Sequence, residues 1–145
     1  MILYLDTSAL LKLYLAEADS RRVRRLATGA SAIFTHLITY AEMRAALAQA
    51  LRMRRLSEGD YASQVRAFEN DWLSLEIIAL DESLLRRAGE HAERFGLRGY
   101  DSVHLAAAEW LVRSAGNPAL VRFVAFDGAL VTAAAAIGLP GAERR

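Results

Sequence analysis

Four short apolar runs constrain this chain's fold more than any other feature. Residues 2–5, 32–36, 76–80 and 120–126 each have the length and composition of a buried strand. Segments of helical periodicity separate them, and no two runs meet across a hairpin signal. Strands linked through helices must run parallel, because only a crossover returns the chain to the same end of the sheet. The pattern therefore predicts a three-layer α/β/α fold around a central parallel sheet of four to five strands. At 145 residues the chain suits one hydrophobic core, and a single domain over 1–145 is expected.

The helices are expected over 7–15, 19–28, 40–54, 57–72, 81–95, 101–115 and 127–137. Thr39-Tyr40-Ala41-Glu42 matches a capping box, with Ile38 and Met43 spaced as its hydrophobic staple. Val65, Phe68 and Trp72 share one face of the 57–72 helix, which suits a core face or a contact surface. Gly96 is placed to stop the 81–95 helix in the left-handed conformation.

Ligands of such open sheets bind beyond the carboxyl ends of the strands, which directs attention to the acids found there. Asp6 follows the first run directly and Asp127 the fourth. Glu42 lies in the first turn after the second run, and Asp101 opens the 101–115 helix. Each has a plainer use. Asp6, Asp101 and Asp127 suit N-caps, Glu42 fits its capping box, and Asp127-Gly128 reads as a turn. Asp81 also follows a strand and reads as a helix start. Gathered at one sheet edge, several carboxylates would repel one another and resist ionisation. A divalent cation removes that conflict, and oxygen donors suit Mg²⁺ or Mn²⁺. The chain has no cysteine, and His36, His91 and His104 lack zinc-site spacing.

Other classes fit less well. There is no G-x-G-x-x-G after the first strand for a dinucleotide. An aspartyl-nucleophile phosphatase needs an acid where Ser8 stands, and a receiver domain needs a lysine later than Lys12. No apolar run reaches the ~18–20 residues that span a bilayer. The first residues lack a basic stretch and meet an acid at position 6, unlike a signal peptide. A cytoplasmic protein with no membrane contact is expected. Two arginine groups, at 21–25 and 52–55, read either as phosphate or partner contacts or as solvated helix faces.

Taken together, these segments resemble the PIN-domain family, and specifically VapC-type toxin ribonucleases. The segments are Ile2-Leu3-Tyr4-Leu5-Asp6-Thr7-Ser8, Thr39-Tyr40-Ala41-Glu42-Met43, Gly99-Tyr100-Asp101-Ser102-Val103-His104-Leu105-Ala106-Ala107-Ala108 and Phe126-Asp127. The resemblance implies that strands one and four are neighbours, bringing Asp6 and Asp127 close, while the strand before Asp81 lies toward the sheet edge. It implies a metal-dependent endoribonuclease in which Asp6, Glu42, Asp101 and Asp127 hold one or two Mg²⁺ or Mn²⁺ ions. In-line attack would leave a 5′-phosphate and a 3′-hydroxyl. Thr7 or Ser8 would bond a ligand carboxylate or a substrate phosphate, or else serve the helix start. His104 shares a face with Asp101, so it would assist proton transfer or simply pack in the core. An RNA substrate, a cognate antitoxin with an acidic or arginine-bearing tail, and a homodimer are likewise implied.

Two positions depart from the family pattern. Ala125 stands where a Thr or Ser is common, and Gly128 where a basic residue is frequent. Both stand close to Asp127 in the chain. They also keep open a PIN-like module that binds RNA or protein without cleaving.

Overall fold

The computed structural model describes residues 1–141, so the last four positions of the expected 1–145 domain lie outside the described residues. Strands β1 (Ile2–Leu5), β2 (Ala32–His36), β3 (Glu76–Ile78) and β4 (Val121–Val124) form one parallel sheet in the order β3-β2-β1-β4. The helices are α1 (Thr7–Leu11), α2 (Ser20–Gly29), α3 (Thr39–Arg52), α4 (Glu58–Trp72), α5 (Glu82–Phe95), α6 (Gly99–Ala115) and α7 (Gly128–Ala136).

Alternation along β1 creates the three layers, because successive side chains point to opposite faces. Leu3 and Leu5 join a core with Leu10 of α1, Val23 of α2, Met43 and Leu47 of α3, and Phe68 of α4. Tyr4 points the other way, into a core with Ala88 of α5, Leu105 of α6, Leu130 of α7 and Phe123 of β4. Tyr4 and Phe123 are in register on adjacent strands, with ring centroids 5.7 Å apart. The aromatic face of α4 proves to be core: Phe68 is buried against Tyr14, Tyr40 and Trp72.

The chain steps from β1 to β2 to β3 in one direction. It then returns across the sheet through α5 and α6 to place β4 beside β1. Right-handed crossovers put helices on opposite faces when the direction reverses, as the two cores require. The crevice between β1 and β4 is therefore the topological switch point, where such sheets bind ligands.

α5 and α6 pack along their length around a buried carboxylate. Glu109 of α6 accepts a forked pair of bonds from Arg87 (Nε 2.9 Å, Nη2 2.8 Å), one contact with His91 Nε2 (3.0 Å) and one bond from Arg113 (3.0 Å).

Several elements differ in length from the sequence expectation. The run 76–80 pairs only over Glu76–Ile78, as an edge strand flanked by one neighbour. Pro118–Leu120 is a 3₁₀ turn capped by Asn117, so β4 begins at Val121. β4 ends at Val124 because the last bond β1 offers is Asp6 N–H to the Val124 carbonyl (3.2 Å). The 7–15 helix closes at Leu11 and continues to Leu15 as turns. α6 starts at Gly99 rather than 101, which puts Asp101 inside its first turn instead of at its cap. Gly96 ends α5 at φ 63°, as expected.

Candidate active site

Asp6 leaves β1 at the switch point and caps α1, its Oδ1 accepting the Ala9 N–H at 2.9 Å. The Ser8 hydroxyl donates to the same carboxylate, 2.7 Å from Oδ1 and 3.0 Å from Oδ2. Ser8 Oγ also accepts the Phe126 N–H at 3.1 Å, which ties the end of β1 to the exit of β4. Asp6 is 3% exposed. Burial pushes its carboxyl up to about 6, against the pull of His104, Ser8 and the Ala9 amide, and with a push from Asp101.

Glu42 does not form the expected capping box. α3 starts after Ile38 with no side-chain cap bond. The Thr39 hydroxyl instead lies 2.7 Å from that of Thr35, which donates to the Leu5 carbonyl at 2.8 Å. The staple is not made either, since Ile38 packs in one core and Met43 in the other. The Ile38 amide bonds His36 Nδ1 at 3.0 Å. Burial, helped by His104, lowers the His36 imidazole to about 4.

Glu42 turns instead toward the crevice, where its Oε1 accepts from Thr7 Oγ1 at 2.7 Å and meets His104 Nε2 at 2.8 Å. His104 is 1% exposed, and its Nδ1 lies 2.9 Å from the Tyr4 hydroxyl. The ring is thus held at both nitrogens, between the Tyr4 hydroxyl and the Glu42 carboxylate. A buried imidazole left without a partner is costly, and Glu42 supplies one to His104. Burial raises the Glu42 carboxyl, but hydrogen bonds from His104 and Thr7 and the charge of Arg98 outweigh it and hold it below its ordinary value.

Asp127 caps α7, accepting the Leu130 N–H at 3.0 Å. Asp101 stands across the crevice in the first turn of α6. One side chain joins the two: Arg98 Nε donates to Asp101 Oδ2 at 3.0 Å, and its Nη2 lies 3.6 Å from Asp127 Oδ2. A cleft of about 370 Å³ opens beside them, lined by Glu42, Arg98, Gly99, Tyr100 and Asp101.

The structure thus groups Glu42 with Thr7 and His104, Asp6 with Ser8, and Asp101 with Asp127 through Arg98. Asp81 lies apart, capping α5 after the edge strand β3 through the Leu84 N–H (3.0 Å). Arg55 pairs with Glu17, which also holds Lys12. Tyr4 and Arg98 were missed by sequence reasoning. Tyr4's signal was its alternation away from Leu3 and Leu5. Arg98's was its position three residues before Asp101 at a helix start.

The donor chemistry suits a hard divalent ion. The acids offer oxygen alone, burial and the neighbouring Asp101 push the Asp6 carboxyl up, and a guanidinium pairs with Asp101 and Asp127. Among the described residues no three acid or imidazole groups converge to hold an ion, so the fit is one of donor type. No helix among them is long and apolar enough to cross a membrane.

A PIN-domain family model matches residues 3–116. Ribonuclease VapC45 of Mycobacterium tuberculosis (strain CDC 1551 / Oshkosh) is 36% identical over 137 residues, covering 94% of this chain and 92% of that protein. Ribonuclease VapC49 of the H37Rv strain gives the same figures. Among solved structures, Mycobacterium tuberculosis VapC20, a sarcin–ricin loop cleaving toxin, superposes with a TM-score of 0.64 at 17% identity, covering 96% of this chain and 97% of that one. VapBC2 from Rickettsia felis, bound to a DNA fragment from their promoter, superposes with a TM-score of 0.50 at 21% identity, over 74% of this chain and 80% of that one. The family match over most of the chain and the parallel sheet arrive at one conclusion: this chain belongs to the PIN-domain family, among relatives named as VapC ribonucleases.

Proposed function

We propose that this chain is a metal-dependent endoribonuclease, the toxin of a toxin–antitoxin pair, carried by one domain over 1–145. The observation that carries the reading is Asp6 at the switch point together with a cleft lined by Glu42 and Asp101, in a chain 36% identical to two VapC ribonucleases. Asp6, Glu42, Asp101 and Asp127 are the residues that would hold Mg²⁺ or Mn²⁺, directly or through water. Such an ion supplies charge stabilisation at the scissile phosphate and a more acidic water for attack. The chain's own part is positioning. Ser8 fixes the Asp6 carboxylate, while Thr7 and His104 fix Glu42. Tyr4 orients the His104 ring from below, so the imidazole serves a positioning role within its packed site. Hydrolysis would leave a 5′-phosphate and a 3′-hydroxyl.

The non-cleaving alternative started from Ala125 and Gly128. Ser8 weakens it, because its hydroxyl bonds both the Asp6 carboxylate and the backbone just after Ala125. Asp127 retains a fixed place as the α7 cap despite Gly128. The partners in this reading are RNA, a cognate antitoxin and a second copy of the chain, and the compartment is the cytoplasm. The VapBC2 likeness supports the antitoxin by fold analogy.

The test is incubation of the purified chain with structured and single-stranded RNAs in Mg²⁺, Mn²⁺ or EDTA, beside Asp6→Ala. Cleavage with either ion is expected, with loss in EDTA and in the variant while its circular dichroism is unchanged. Full activity in Asp6→Ala overturns the reading.

A further inference from the structure

A cleft lined by Glu42 and Asp101 poses a problem for a polyanionic substrate, since these acids repel the phosphates it must admit. Arg98 stands where that problem is met. It occupies the α5–α6 turn at the cap position of α6. Its side chain is 79% exposed and reaches over both Asp101 and Asp127. Two of the five donors of its planar fork face these acids. The pairing is solvent-exposed, so releasing it costs little. Lys12 is committed elsewhere, to Glu17 and the Ala18 carbonyl beneath the Phe126 ring. Arg98 also lines the cleft that Glu42, Tyr100 and Asp101 enclose, so a phosphodiester entering there passes its guanidinium.

We propose that Arg98 is the phosphate-binding cation of this site: it rests on Asp101 and Asp127 while they hold no ion, and contacts a non-bridging oxygen of the RNA phosphodiester once a divalent cation takes them. The proposal rests on the metal-dependent ribonuclease reading above. The chemistry is competition for one pair of carboxylates. The Arg98 guanidinium would compete with an ion for Asp101 and Asp127, and once unpaired from those acids it would be free to meet a phosphate. The fork geometry suits a phosphate, whose oxygens it can bond in pairs. One side chain therefore weakens ion binding and strengthens RNA binding, and these opposite signs distinguish it from a surface ion pair.

The experiment compares the wild-type chain with Arg98→Gln and Arg98→Lys. Mn²⁺ affinity is measured by calorimetry without RNA. Single-turnover cleavage of a single-stranded RNA is measured at saturating Mn²⁺ over a series of salt concentrations. Arg98→Gln is expected to bind Mn²⁺ several-fold more tightly and to cleave with kcat/KM reduced at least tenfold. Its salt dependence should be shallower by about 0.7–1 in log–log slope, the equivalent of one lost phosphate contact. Arg98→Lys, which keeps the charge without the fork, should fall between. If the wild type binds Mn²⁺ and cleaves, but Arg98→Gln leaves either Mn²⁺ affinity or kcat/KM unchanged, or weakens Mn²⁺ binding, the Arg98 proposal is overturned alone. If the wild type neither binds Mn²⁺ nor cleaves with it, the ribonuclease reading fails and takes the proposal with it.

Discussion

Replacing Glu109 by Gln removes one charge from the α5–α6 interface and preserves its shape. The carboxylate is 9% exposed and receives Arg87 through two parallel bonds, with His91 and Arg113 on the same oxygens. Arg87 is the main reason that its carboxyl drops from 4.5 to about 2, against the opposing effect of burial and with further help from His91. At 1.36 kcal/mol per pH unit that drop corresponds to about 3 kcal/mol of stability at neutral pH. Arg87 and Arg113 reach solvent, with side chains 38% and 69% exposed, so screening reduces the figure to about 1–2 kcal/mol. The sign follows from the direction of the shift. A depressed carboxyl stabilises the fold above its unfolded value of 4.5, and the contribution is lost as pH falls from there toward 2. Urea unfolding of both proteins at pH 7 and pH 3 reads the difference directly. The variant should be less stable by about 1–2 kcal/mol at pH 7 and by less than half of that at pH 3. Equal differences at the two pH values would refute the electrostatic account and leave only lost packing.

Two further outcomes concern the crevice. His104→Phe keeps a ring in place but strips partners from the Tyr4 hydroxyl and Glu42, and should cost about 2–4 kcal/mol in chemical denaturation; a loss within 0.5 kcal/mol or so would mean that water replaces the imidazole without penalty. On the ribonuclease reading, Tyr100, 62% exposed and lining the cleft, offers a ring on which a base would stack. Tyr100→Ala should therefore raise KM for single-stranded RNA about tenfold with stability unchanged within about 0.5 kcal/mol, and an unchanged KM would remove Tyr100 from the RNA path.

The fold was legible because each layer follows from local pattern. Strand runs alternate with amphipathic helices, Ser57 and Asp81 cap α4 and α5 as their positions suggest, and Gly96 ends α5. Strand order was less accessible. Nothing local in residues 120–126 says that they lie beside residues 2–5, and that placement came through the family resemblance, which the β1–β4 pairing bears out. The site was legible in its acids but not in their contacts. Glu42 had two competing uses, and the choice turned on a buried imidazole 62 positions away. The Tyr4–His104 bond spans 100 positions and leaves no periodic trace. Arg98 was within reach, since a basic residue three before an acid at a helix start is a readable pair.

The adjacency of β1 and β4 also sets a clock. The strand that ends in Asp6 is made first, and the strand that leads to Asp127 follows more than a hundred residues later. At ~5–20 residues per second, a ribosome needs on the order of 6–24 s to travel between them. Throughout that interval β1 has one neighbour at most, and the crevice that admits a phosphodiester has a single wall. If the chain is a toxin, it is harmless until β4 is made: its RNA-cutting geometry comes into existence only when that strand pairs with β1.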